Sequence, residues 1–196
     1  MRAFNPFTRS LAAVLLACAS VTTWAQPLEV DGVKLDATAQ VGNTALQLNG
    51  AGMRVKVFFK VYVAGLYVPQ KVNNAAQLLA QKGARRLTLT MLRTVDAESF
   101  VHALNEGLRD NQTEAQLAAM KPQIDALNAN LKAAGEAKKG DVIHLDYVPD
   151  SGTRVTINGQ VRGSAIAGDD FYTAVLRIWL GDKPVDGSLK KGLVGG

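Results

Sequence analysis

The chain has 196 residues, 47% of them hydrophobic and 20% charged, with a net charge of +5. That length supports a hydrophobic core of its own. The basic doublets Arg85-Arg86 and Lys138-Lys139 are too short for a nucleic-acid stripe, so no nucleic-acid partner is expected. One cysteine, Cys18, excludes an intrachain disulfide, so an exported form must rely on its core.

The first 25 residues read as an export signal. Arg2 and Arg9 form a positive n-region without an acid, Leu11 to Val21 is an apolar h-region, and Thr23-Trp24-Ala25 places small residues at the −3 and −1 positions of a cut before Gln26. The h-region is too short to span a bilayer. A competing processing site is Leu15-Leu16-Ala17-Cys18, which resembles a lipoprotein box that would anchor the chain through a lipid on Cys18. The expected product of the first route is a mildly basic, exported, periplasmic chain, residues 26–196, forming one domain.

Leu28 to Leu35 alternates apolar and polar residues about Asp31-Gly32, a hairpin signal. Thr44 to Leu48 reads as a strand running into Gly50-Ala51-Gly52. Met53 to Val57 and Phe59 to Val68 read as two strands or one long bent one, ended by Pro69. Asn74 to Lys82 is a short helix stopped by Gly83, and Arg85 to Leu92 is a strand. Asp96 opens a helix with Phe100, Leu104 and Leu108 on one face. Thr113 to Gln116 has the capping-box pattern, and Leu117, Met120, Ile124, Leu127 and Leu131 continue an apolar stripe that Pro122 should kink or break. Val142 to Val148, Arg154 to Ile157 and Gln160 to Ala165 read as a meander turned at Asp150-Ser151-Gly152 and Asn158-Gly159. Asp169-Asp170 begin a last amphipathic helix closed by Leu180-Gly181, and Ser188 to Leu193 adds a turn. Strands, helices, strands, helix in that order predict an α+β fold: a mostly antiparallel sheet with helices on one face.

Several chemistries lack their residues. His102 and His144 have no third donor at metal-ligand spacing, so no metal is expected, and His144 reads as a solvent-facing strand residue. There is no nucleophile elbow, phosphate-binding loop or dinucleotide fingerprint, and no cofactor is expected. Asp169-Asp170 read as helix caps rather than paired acids.

What stands out is Arg54 and Tyr62 within the apolar run from Gly50 to Pro69. In one continuous strand their even separation puts both on one face, with Val55, Val57, Phe59, Val61 and Val63 on the other. Across a hairpin they could be cross-strand neighbours. One reading makes Arg54 a charge-assisted contact to a carboxylate or phenolate, with Tyr62 donating a second hydrogen bond. The other makes them a snorkelling strand arginine and a rim tyrosine.

These residues carry a resemblance. Leu48-Asn49-Gly50-Ala51-Gly52-Met53-Arg54 followed by Lys60-Val61-Tyr62-Val63-Ala64-Gly65-Leu66-Tyr67-Val68 resembles the chalcone isomerase superfamily. The run from Phe100 to Leu108, the run from Phe171 to Gly181, Pro184 and Leu189-Lys190 resemble its bacterial chalcone isomerase-like branch. The resemblance implies an open-faced β-sandwich with a ligand cleft between a large sheet and a helical layer. It also implies three classes of activity: ring closure of a chalcone-like phenol, fatty-acid binding by an arginine and a tyrosine, or a helper role without turnover. Arg54 fits the arginine that isomerases and fatty-acid binders share. Tyr62 falls where the isomerases have a catalytic threonine and the binders their tyrosine. Phe100 falls at an isomerase tyrosine and Gly107 at an isomerase asparagine; Asn105, two residues away, points nearly opposite on the helix. The resulting expectation is a non-catalytic binder of an apolar carboxylate. Its ligand-binding residues would be Arg54, Tyr62, Phe100, Leu104 and Gly107, with Tyr67 a packing residue. The alternatives are an intramolecular lyase acting on a phenolic substrate and a protein-interaction module.

Overall fold

The computed structural model describes residues 27–196. The expected signal cleavage and the Cys18 alternative lie outside the described residues.

Strands β1 (Leu28–Val30) and β2 (Val33–Leu35) pair about Asp31-Gly32, both at positive φ, in the hairpin the Asp-Gly pair predicts. Seven further strands form one sheet in chain order, every neighbouring pair antiparallel. They are β3 (Thr38–Val41), β4 (Thr44–Lys56), β5 (Phe59–Val68), β6 (Arg85–Met91), β7 (Val142–Val148), β8 (Gly152–Ile157) and β9 (Gln160–Ile166). β3 is a short edge strand that the sequence reading passes over, since Thr38-Ala39-Gln40-Val41 has little apolar signal. It is held by a tight turn at Gly42-Asn43. The segment from Met53 to Val68 is two strands, turned at Val57-Phe58.

The helices are α1 (Ala75–Ala80), α2 (Ala97–Asn111), α3 (Glu114–Ala119), α4 (Lys121–Ala134), α5 (Asp169–Leu180) and α6 (Gly187–Leu193). Asn74, Asp96, Thr113 and Asp186 cap α1, α2, α3 and α6, each accepting a backbone N–H of the first turn. Pro122 sits in the first turn of α4, so the apolar stripe is broken into two helices. α5 is buried nearly all round. Its Phe171, Val175, Ile178 and Trp179 share one core with Leu66, Leu87, Leu89 and Leu145 of the sheet and with Leu104 and Leu108 of α2. Each such side chain contributes about 1.5–3 kcal/mol on burial.

A smaller core lies on the opposite face of the sheet, where Leu35 of the β1–β2 hairpin joins Val41, Leu46, Leu48, Val63 and Tyr67. Beyond it that face is polar. Arg86 makes a bidentate pair with Asp146 at 2.6 Å, and Thr88 meets His144 at 2.9 Å. His144 is therefore half-buried rather than simply solvent-facing, and burial with the nearby Arg86 charge pushes its pKa down. Arg85, the other half of the doublet, points to the helical face and is fully buried. It pairs with Asp169 and lies over the rings of Tyr147 and Tyr172 at 5.0 and 5.1 Å. The capping role expected of Asp169-Asp170 is thus corrected. The N-cap of α5 is Gly168, without a side-chain cap bond, and the Asp169 carboxylate is taken by Arg85 and Lys82.

Candidate functional site

β4 and β5 cross the helical face as a long hairpin, interrupted by two bulges. Asn49 is the extra residue of the first, between the pairs Leu48↔Tyr67 and Gly50↔Leu66. Its side chain accepts from Val72 N and donates to Leu193 O, both at 2.8 Å, which ties the C-terminal helix to the sheet. Val61 is the extra residue of the second, between Arg54↔Tyr62 and Val55↔Lys60. Arg54 and Tyr62 are therefore direct cross-strand partners, the second of the two arrangements their spacing allows. The expected alternation of odd positions fails here for a local reason. The bulge turns Val61 toward the same side as Tyr62, and Phe59 and Val61 line the cleft beside Arg54 instead of the opposite face.

The cleft has a volume of about 410 Å³, within the ~300–1,000 Å³ range of small-molecule sites. Its floor is Arg54, Val61, Tyr62 and Leu89 of the sheet; one wall is Ser99, Phe100, Ala103 and Leu104 of α2; Ile178 and Trp179 of α5 close the back. Lys56, Val57 and Phe59 of the β4–β5 turn and the segment from Arg93 to Asp96 form the mouth. Apolar side chains dominate, with Arg54 and Tyr62 the polar groups of the floor and Lys56, Arg93, Thr94 and Asp96 those of the mouth.

Tyr62 is buried, and its hydroxyl accepts a hydrogen bond from Trp179 Nε1 at 2.9 Å. An indole N–H only donates, so the Tyr62 proton is left for another acceptor. Burial pushes the phenol pKa up, against the lowering effects of the Arg54 charge and the Trp179 bond, so Tyr62 is a donor at neutral pH. The Arg54 guanidinium lies 5.7 Å from the Tyr62 ring centre, and its Nε is buried without a hydrogen-bond partner among the described residues. Neither Arg54, Lys56 nor Arg93 has a carboxylate within 4 Å among the described residues. The nearby acids are committed elsewhere. Asp96 caps α2, held below the ordinary carboxylate range by Ser99. Asp186 caps α6 and accepts from Val55 N at 3.1 Å. The site is thus cationic, lined with hydrocarbon, and supplied with one phenol proton. It suits an anion attached to an apolar body.

Of the residues expected to bind ligand, Arg54, Tyr62, Phe100 and Leu104 come together around this cleft. Gly107 does not line it. Gly107 lies one turn beyond Leu104, where a Cβ would come 2.7 Å from Ile178, so its smallness lets α2 approach α5. Asn105 faces α4, exchanging hydrogen bonds with Asn128. Tyr67 packs in the smaller core on the other face, its pKa pushed up to about 12 by burial and by Asp36. Sequence reasoning missed Trp179, assigned only to the apolar face of the last helix. Its signal was available, since a buried indole needs an acceptor. It also missed Lys56 and Arg93, which nothing in the linear pattern associates with Arg54.

Among the described residues no group of His, Cys, Asp or Glu side chains could hold a metal ion, and no helix is long and apolar enough to cross a membrane. A family profile described as chalcone isomerase-like matches residues 27–195. Among solved structures, the fold is similar to that of the Arabidopsis thaliana fatty-acid binding protein AtFAP1, with a TM-score of 0.61 at 14% identity over 83% of this chain and 92% of that one. No curated protein matches this chain.

Proposed function

Since the chain belongs to the chalcone isomerase-like family, we propose that it is an exported protein whose cleft binds a fatty acid or similar apolar carboxylate without turning it over. The observation that carries this reading is Arg54. Its buried Nε has no hydrogen-bond partner among the described residues and the neighbouring Tyr62 hydroxyl has a proton to give, on the floor of a mostly apolar cleft. A buried guanidinium N–H without an acceptor is costly, and a ligand carboxylate supplies one. Tyr62 completes the carboxylate contact, while Phe100 and Leu104 hold the hydrocarbon. The similarity to a fold described as a fatty-acid binding protein supports the same ligand class. Phe100 offers no proton to a developing enolate, which favours binding over ring closure.

Native mass spectrometry of the purified protein should show co-purified fatty acid in wild type and none in Arg54→Ala. Titration with dodecanoate should show the variant weaker by roughly 10- to 150-fold, the worth of about 1.5–3 kcal/mol for hydrogen bonds to a charged group. Wild type and variant both empty, with neither binding lipid in titration, would defeat the reading. Loss of enone absorbance on incubation with hydroxychalcones would replace binding with ring closure. An intact mass beginning at Gln26 tests export.

A further inference from the structure

The mouth of the cleft ends in an exposed apolar point. At the β4–β5 turn Val57 is 75% exposed, Phe58 89% and Phe59 59%, three consecutive large hydrophobic side chains in water. Hydrophobic residues scattered singly on a surface need no explanation, but three together at the tip of a long hairpin do. The backbone makes the choice of residues more pointed. Val57 has φ of 60°, a conformation that favours glycine and is a genuine outlier for a β-branched side chain. Local folding preference opposes valine at the first position of this two-residue turn, so the apolar side chain is kept against it.

Cations surround the tip. Lys56 and Lys60 flank it in sequence, and Arg93 lies over the Phe59 ring at 4.6 Å. Lys60 is paired with Asp31 at 2.5 Å, whereas Lys56 and Arg93 have no carboxylate within 4 Å among the described residues. Aromatic and aliphatic side chains projecting beyond a collar of basic residues complement the interface of an anionic bilayer. Hydrocarbon enters the boundary between headgroup and acyl chain while the cations meet lipid phosphates. Val57 and Phe59 also line the cleft, so the projecting point and the cavity share a surface.

We propose that the Val57-Phe58-Phe59 turn docks the protein on an anionic lipid surface, with the cleft opening at the bilayer interface. Docking rests on the tip alone; transfer of an acyl ligand between bilayer and cleft rests on the fatty-acid reading above. The test is co-sedimentation with vesicles of phosphatidylglycerol and phosphatidylcholine, compared with phosphatidylcholine alone. Wild type should bind the anionic vesicles more tightly, and added salt should weaken that binding. Phe58→Ser should weaken it about tenfold or more, the worth of one buried phenylalanine. Phe58 is not part of the cleft lining, so dodecanoate affinity in solution should be unchanged in that variant. Phe58→Trp should retain binding and show a blue-shifted emission on adding vesicles. Wild type that ignores both vesicle types, or Phe58→Ser that binds as well as wild type, overturns the docking proposal while leaving fatty-acid binding to stand or fall by its own titration. Self-association abolished by Phe58→Ser, without vesicle binding, also overturns it and makes the tip a contact between copies.

Discussion

At the scale of single residues, the cleft depends on where one proton sits. Trp179 Nε1 donates to the Tyr62 hydroxyl at 2.9 Å and so fixes that oxygen as an acceptor, leaving the phenol proton to be given to the proposed ligand. Trp179→Phe keeps the hydrocarbon and removes the donor. Dodecanoate affinity should fall by roughly 2- to 12-fold, the worth of about 0.5–1.5 kcal/mol for one hydrogen bond, as read by calorimetric titration. The pH dependence of wild type follows from the direction of the Tyr62 shift. Its pKa lies above the ordinary phenol value, so the proton remains in place through the neutral and mildly alkaline range. The affinity should therefore stay level from about pH 6 to about pH 9, where the ligand is ionised and Tyr62 is not. A decline beginning near pH 8 would show that Tyr62 ionises within that window and that burial does not control it.

At the scale of elements, the Gly50-Ala51-Gly52 run explains how the end of the chain reaches the sheet. A Cβ on Gly50 would stand 2.2 Å from the Gly192 carbonyl oxygen, and a Cβ on Gly192 would stand 2.4 Å from that of Ala51. α6 therefore lies with its backbone directly on β4, secured by Asn49 at one end and by Asp186 beside Arg54 at the other. The position of Gly52 is less strict, since a Cβ there would meet Leu189 Cδ1 at 3.1 Å and the Leu189 backbone at 3.2 and 3.3 Å, tight contacts but not the overlap found at Gly50. Gly50→Ala should cost about 1–3 kcal/mol of stability through overpacking, and Gly52→Ala distinctly less. Urea denaturation midpoints compare the two, and equal losses would mean that α6 is not tightly seated on β4.

At the scale of the whole molecule, the sheet presents two arginines of opposite character to the helical layer. Near the cleft, Arg54 has no carboxylate within 4 Å among the described residues, since neighbouring Asp186 caps α6 and accepts from Val55 N. Toward the other end of α5, Arg85 is fully buried against Asp169, Tyr147 and Tyr172. Burial would raise the Asp169 pKa, but the Lys82 hydrogen bond and the Arg85 and Lys82 charges outweigh it and hold the carboxyl low. By linkage, this contributes stability that is present above the unfolded carboxylate pKa and is lost as pH falls through the lower folded value. Asp169→Asn leaves a buried cation without its counter-ion and should cost about 3–5 kcal/mol at neutral pH. Arg85→Met fills the space with hydrocarbon and leaves Asp169 its Lys82 partner, so it should cost clearly less. Equilibrium unfolding of both variants decides this, and the reverse order would refute it.

Much of this was written in local sequence. Period-two runs mark most of the strands, the Asp-Gly pair marks the first hairpin, Asn74, Asp96 and Thr113 mark the starts of α1, α2 and α3, and Pro122 marks the break between α3 and α4. Each is a short-range preference, because side-chain alternation, φ restriction and orphan N–H groups act within a few residues. The α+β order of elements and the antiparallel sheet with helices on one face follow from them. Tertiary structure alone decided the rest. The bulge at Val61 set Arg54 opposite Tyr62 and turned Phe59 and Val61 into the cleft, because strand register is settled between strands and not along one. The approach of α5 brought Trp179 to Tyr62 from 117 residues away. Strand alternation sends Arg85 and Arg86 to opposite faces, but only the fold gave Arg85 its Asp169 partner and Arg86 its part-buried bidentate pair with Asp146. Polar groups are given their partners by packing across the chain, so the sequence by itself determined the elements, and the fold decided which of their charges found a partner within the protein.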